Sequence, residues 1–137
     1  MIKKFYEETG MYIDWQQLEK LPKIDTLIDI GVGPHGTEDL YERFQNAKLI
    51  LIDPVDEAKK YAEQLSKKRD VTFFSNPLGR EDDIEKEMKI QKVQGYSSFL
   101  EISEINMEDD WIEKKKLKIK KLDTIIKDKK SLGKIGI

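Results

Sequence analysis

An α/β fold with a doubly wound parallel sheet is what this sequence predicts, and three observations predict it. Short apolar runs recur at Thr26-Leu27-Ile28-Asp29-Ile30, Leu49-Ile50-Leu51-Ile52 and Val71-Thr72-Phe73-Phe74. Helical apolar spacing separates them, first at Leu40, Tyr41 and Phe44, then at Tyr61 and Leu65. Glycine, proline or aspartate closes each run: Gly31, Asp53-Pro54 and Asn76-Pro77. Strands without strict polar alternation are buried on both faces, so strand–helix–strand–helix–strand implies a parallel sheet covered by helices. Right-handed crossovers then set the order of a doubly wound, Rossmann-like sheet.

Taken in order, residues 1–24 form a helical lead-in. Ile13, Leu18 and Leu21 share a spacing, Asp14 is placed to cap the helix, and Pro22 ends it. Residues 25–79 carry the βαβαβ unit. Thr37 is a good N-cap, and Glu38 and Asp39 behind it suit the positive end of a helix dipole. Asp56 is the expected cap of the next helix. Residues 80–137 are less regular. Met88 and Ile90 alternate with Lys89 and Gln91, as Leu117 and Ile119 do with Lys118 and Lys120, which predicts two half-buried strands paired with each other. Phe99, Leu100, Ile102 and Ile105 suggest a short helix or ordered loop between them. Leu122, Ile125 and Ile126 fit one more helix, and Ile135-Gly136-Ile137 reads as the start of a fourth strand of the main sheet.

A chain of 137 residues without internal repeats is of single-domain size. Its 25 basic and 27 acidic residues leave a net charge of −2, which gives no overall positive field for a nucleic-acid backbone. The basic run Lys114 to Lys121 follows Glu108, Asp109 and Asp110 and reads as a solvated face. Without cysteine there is no disulfide, thiolate metal site or thiol nucleophile, and the single histidine, His35, leaves imidazole metal sites without a second ligand. No stretch approaches the roughly 20 apolar residues of a membrane span, and the opening residues Met1-Ile2-Lys3-Lys4 lead into a mixed, charged stretch with no apolar core of signal-peptide length. A cytoplasmic protein with no membrane partner is expected.

The chemistry concentrates in Asp29-Ile30-Gly31-Val32-Gly33-Pro34-His35-Gly36-Thr37, between a strand and a helix. Ligands of open α/β sheets bind there, beyond the strands' carboxyl ends. Gly31 and Gly33 let the backbone turn and approach a ligand closely, and amides opening the next helix can face an acceptor. Asp53, at the end of the second run, could accept ribose hydroxyls. Gly31 to Gly36 with Asp53 following also satisfies a dinucleotide fingerprint. Asp29 favours S-adenosylmethionine, because a carboxylate there suits an ammonium group and repels a pyrophosphate. A tight turn without any ligand is the third possibility.

Ile28-Asp29-Ile30-Gly31-Val32-Gly33 resembles the first motif of class I methyltransferases. Leu51-Ile52-Asp53-Pro54 resembles the acidic end of their second strand, with the following proline of the FkbM-like family. Asn76-Pro77-Leu78-Gly79, Gly95-Tyr96-Ser97-Ser98-Phe99-Leu100 and Lys121-Leu122-Asp123-Thr124-Ile125 resemble later segments of that family, in the same order, over about 110 residues. The loop departs from it, carrying Pro34 and His35 where many members have a shorter Ala-Asn-x-Gly run.

The resemblance implies the cofactor-binding part of an S-adenosylmethionine-dependent methyltransferase. Methyl transfer would go to an oxygen of a small molecule or saccharide. Asp29, Gly31, Gly33 and Gly36 would hold the methionyl end, Asp53 the ribose and Leu78 the adenine, while Ser97 and Ser98 would line the acceptor pocket or cap a helix. The family continues into an Asp-x-Glu-Gly-like motif and further strands, so an incomplete sheet lacking its C-terminal strands is expected, and no residue is assigned as catalytic base. The rival classes are a non-catalytic binding module and a nicotinamide-dinucleotide domain.

His35 is a candidate acid–base group without a partner fixed by spacing, and Trp15 and Trp111 are expected to pack rather than stack on a ligand. Asp123 is expected to be an N-cap. In the doubly wound order at most three residues would cover the first strand's inner edge, so self-association through that uncovered edge is expected.

Overall fold

The apolar runs form the sheet they predict. The computed structural model describes residues 20, 22–91, 112–127 and 129–137. Strand β1 (Thr26–Ile30), helix α1 (Glu38–Arg43), strand β2 (Lys48–Ile52), helix α2 (Asp56–Leu65) and strand β3 (Val71–Phe74) follow in sequence. After them come strands β4 (Glu85–Gln91) and β5 (Ile112–Lys118), helix α3 (Leu122–Ile125), a 3-10 turn at Lys129–Leu132 and strand β6 (Ile135–Gly136). The main sheet has the order β3-β2-β1-β6 with every pair parallel. This is an α/β fold on a four-stranded parallel sheet, consistent with a Rossmann-like arrangement.

Alternation along the strands sends side chains to two faces. Leu27, Leu49 and Leu51 meet Tyr41 of α1 and Ala58 and Ala62 of α2 on one face. Leu49 and Leu51 are fully buried, which stabilises the fold by roughly 1.5–3 kcal/mol for each side chain. On the other face Ile28, Ile50 and Ile52 meet Ile126 and Leu132, with Leu78, Phe74 and Leu122 packed against them.

The alternating segments pair as expected. β4 and β5 form an antiparallel ribbon with Met88 opposite Lys115 and Lys86 opposite Leu117. The ribbon is tied to the main body by the amide of Asn76, which donates to the carbonyl of Lys118 at 3.1 Å, and by a bridge between Leu78 and Lys120. Lys115 also reaches Asp56 at 3.1 Å.

Helix caps depart from expectation. Val55, not Asp56, holds the N-cap position of α2, and Asp56 instead accepts the Lys115 ammonium. Lys121, not Asp123, holds that of α3, with Asp123 in the first turn. The carboxylate serving α3 comes from Asp82, which accepts the Lys121 N–H at 2.8 Å and the Thr124 hydroxyl at 2.7 Å. These bonds, the hydroxyl first, hold the Asp82 carboxyl below its usual range. The end of α1 is served by Arg69, whose guanidinium donates to the carbonyls of Tyr41 at 2.6 Å, Phe44 at 2.7 Å and Ala47 at 3.0 Å.

β6 is seated on β1 by hydrogen bonds far apart in sequence. The Thr26 hydroxyl donates to the carbonyl of Leu132 at 2.6 Å, and Asp25 accepts the Lys134 N–H at 2.9 Å. The pairing covers Thr26 and Leu27. Ile30, at the other end of β1, is 46% exposed. The expected lead-in helix from Ile13 to Leu21, Lys20 apart, and the segment around Phe99, with Ser97, Ser98, Trp15 and Trp111, lie outside the described residues.

Candidate functional site

The glycine loop leaves β1 at the carboxyl end of the sheet, where strand order reverses between β2 and β6 on either side of β1. That reversal is the place at which open α/β sheets form a ligand crevice. Gly31, Gly33 and Gly36 all take positive φ, at 82°, 63° and 59°. At Gly31 and Gly33 a Cβ would meet nothing within 4 Å, so the backbone conformation alone demands glycine and the outer side of the loop is open. Gly36 is different. A Cβ there would come to 2.6 Å from Tyr61 Cε1 and 2.8 Å from Tyr41 Cε2, so two aromatic rings close over it. The loop is anchored by Gly31 N–H to the carbonyl of Ile52 at 2.9 Å, and closed by Gly36 N–H to that of Val32 at 3.0 Å.

Two carboxylates flank this loop. Asp53 is buried, with 6% exposure. Its Oδ2 accepts Gly33 N–H at 2.8 Å and its Oδ1 accepts Val55 N–H at 2.9 Å. One side chain thus fixes both the middle of the glycine loop and the entry to α2. Each oxygen keeps further acceptor capacity, since an ionised carboxylate offers about four lone-pair sites.

Asp29 is half-buried and is held differently. Its Oδ2 accepts the Thr37 hydroxyl at 3.1 Å and also the Tyr41 hydroxyl. Oδ1 accepts from no donor among the described residues. Thr37 occupies the N-cap position of α1, as expected, but its hydroxyl serves Asp29 and makes no cap bond. The Tyr41 hydroxyl is pushed far above the usual phenol range, first by burial and then by its bond to Asp29, so it stays a donor at physiological pH. Tyr61 is pushed up to about 12, by burial first and then by the charge of Glu38.

Of the residues expected at a cofactor site, Asp29, Gly31, Gly33, Gly36 and Asp53 come together here. Leu78 is half-buried and packs against the second core. His35 is exposed on the loop. Tyr41 and Thr37 escaped the sequence reading as site residues, although they stand four apart and so share one face of a helix. A cleft of about 180 Å³ lies on the face away from α1 and α2, walled by Ile50, Phe74, Ile125, Ile126 and Leu132. Among the described residues no group of three or more His, Cys, Asp or Glu is placed to hold a metal ion. None of their helices is long and apolar enough to cross a membrane. Comparison with known protein families, with curated proteins and with solved structures found no match for the chain.

Proposed function

We propose that this chain is the cofactor-binding part of an S-adenosylmethionine-dependent methyltransferase of the FkbM-like kind, acting on an oxygen of a small molecule or saccharide. The observation that carries the proposal is the placement of Asp29. Its carboxylate stands against the N-cap of α1, bonded to the Thr37 hydroxyl. A pyrophosphate at that helix end would meet this charge together with Glu38 and Asp39 of the first turn. An anion is disfavoured there, and a cationic amino-acid tail is favoured. Those same charges count against the nicotinamide alternative.

The residues present fit the cofactor by chemistry. Asp29 offers its Oδ1 to the ammonium group, and the open side of Gly31 and Gly33 lets backbone and ligand come close. Ribose hydroxyls would donate to the remaining lone pairs of Asp53, beside the Gly33 amide bond. The sulfonium group supplies the reactivity, and the protein's part is to hold donor and acceptor in line. Self-association belongs to the same proposal. β6 covers only Thr26 and Leu27 of β1, and an open strand edge with the exposed Ile30 invites pairing with a second copy. Sedimentation of a monodisperse monomer at micromolar concentration would refute that part.

The test of function is calorimetric titration of the chain with S-adenosylhomocysteine and, separately, with NAD. Saturable binding of the first alone, weakened at least tenfold by Asp29→Asn, is the expected result. Binding of NAD alone, or of neither by a folded sample, would overturn the proposal.

A further inference from the structure

Tyr41 is 2% exposed, yet its hydroxyl is not spent inside the apolar core around it. It points to the end of β1 and donates to Oδ2 of Asp29. Thr37, one turn earlier on the same face of α1, donates to the same atom at 3.1 Å. An aspartate's terminal torsion is broad and has little preference of its own, so the bonds the carboxylate makes choose its orientation. Two donors converging on one oxygen fix the plane of the group and leave Oδ1 as the acceptor for something else.

We infer that Tyr41 is a positioning residue that turns Asp29 into a receptor for an ammonium group, and thereby makes the site prefer a nucleoside with an amino-acid tail over the bare thionucleoside. This rests on the methyltransferase proposal above. The geometry supplies the reason for placing a polar hydroxyl on the apolar stripe of a short helix. Phenylalanine would keep the ring that lies beside Gly36, where an added Cβ would come to 2.6 Å from Tyr61 Cε1 and 2.8 Å from Tyr41 Cε2. What phenylalanine would lose is the grip on Asp29. The high proton affinity of the hydroxyl, raised by burial and by Asp29 itself, keeps it a donor in every physiological condition.

The experiment compares two probes on the full chain, wild type and Tyr41→Phe. S-adenosylhomocysteine carries the ammonium group, and 5′-methylthioadenosine keeps adenine, ribose and sulfur but lacks the tail. A hydrogen bond to a charged group contributes a factor of about ten to a hundred, and only part of it passes through Asp29 to the ligand. Tyr41→Phe is therefore expected to weaken S-adenosylhomocysteine about five- to twentyfold and to leave 5′-methylthioadenosine within about twofold. Equal weakening of both probes would overturn the inference, because it would show a merely structural role. So would unchanged binding of both. Binding of neither probe by folded wild type would instead refute the underlying function, and the inference would fall with it. Should Tyr41→Phe not fold, Thr37→Val removes the other donor from the same oxygen and is expected to show the same selective loss.

Discussion

Replacing Asp53 by alanine separates the structural work of this residue from its work on a ligand. The side chain accepts two amide N–H groups, from Gly33 at 2.8 Å and Val55 at 2.9 Å, while almost wholly buried. Hydrogen bonds to a charged group contribute about 1.5–3 kcal/mol each, and their loss leaves both amides without a partner. Gly33 and Val55 are only half-buried, so water recovers part of that loss. The expected destabilisation of Asp53→Ala is about 2–4 kcal/mol, toward the low end of the simple sum. Asp53→Asn keeps one acceptor oxygen and is expected to lose about half as much. Urea unfolding followed by far-ultraviolet circular dichroism measures this directly. With a slope of about 2 kcal/mol per molar, the midpoint should fall by roughly 1–2 M for the alanine variant. An alanine variant within about 0.5 kcal/mol of wild type, a loss typical of unremarkable surface positions, would refute the claim that Asp53 clamps the loop to α2.

Further outcomes follow from the same contacts. Arg69→Ala removes three bonds to carbonyls at the end of α1 and should cost about 2–3 kcal/mol, whereas Arg69→Lys keeps the charge but not the fork and should recover less than half in the same urea assay. Gly36→Ala combines a left-handed φ of 59° with a collision against the Tyr61 and Tyr41 rings, so a loss above about 2 kcal/mol is expected by thermal melting, against about 1 kcal/mol if φ alone mattered. For Tyr61 the pKa is raised from an ordinary value of about 10 to about 12, which means the folded state holds its proton more tightly than the unfolded chain. The stability it contributes is therefore complete below about pH 10 and lost as the pH climbs toward 12. Absorbance titration at the phenolate band should show late-ionising tyrosine that disappears partly in Tyr61→Phe.

The parallel sheet was legible because burial on both faces leaves a simple signature. Leu49 to Ile52, closed by Asp53-Pro54, read as a short buried strand, and the structure puts those four side chains in the two cores. The β4–β5 ribbon was legible for the opposite reason, since Met88 and Ile90 alternate with charge. Capping was less legible, because short polar side chains choose partners by tertiary proximity. Thr37 stands at the right position yet gives its hydroxyl to Asp29, and α3 draws its carboxylate from Asp82, about forty residues earlier. Arg69 left no local signal, since its three acceptors lie more than twenty residues earlier, at the end of α1 and in the turn that follows it. Within the site, the structure places Asp29, the glycines and Asp53 around the one loop that their spacing suggests. It did not reveal that Asp53 already holds the loop, because a carboxylate's acceptors can be used from inside the protein as readily as by a ligand.

The bond from the Thr26 hydroxyl to Leu132 closes a span of 106 residues, whereas β1 meets β2, and β2 meets β3, after spans of about 22 residues. Loop closure becomes less favourable by about 0.6 kcal/mol for each doubling of length, so joining β6 carries about 1.4 kcal/mol more closure entropy than joining either neighbour. The central strand therefore acquires its partners at different times: β1, β2 and β3 can assemble with α1 and α2 while β6 is still free. On a ribosome this order is enforced, because the last contacts exist only after Ile135 has been made. Pulse-labelled hydrogen exchange should find the amides that Asp25 and Thr26 donate to Lys134 protected after those between β1 and β2. Until β6 docks, one edge of β1 has no strand partner.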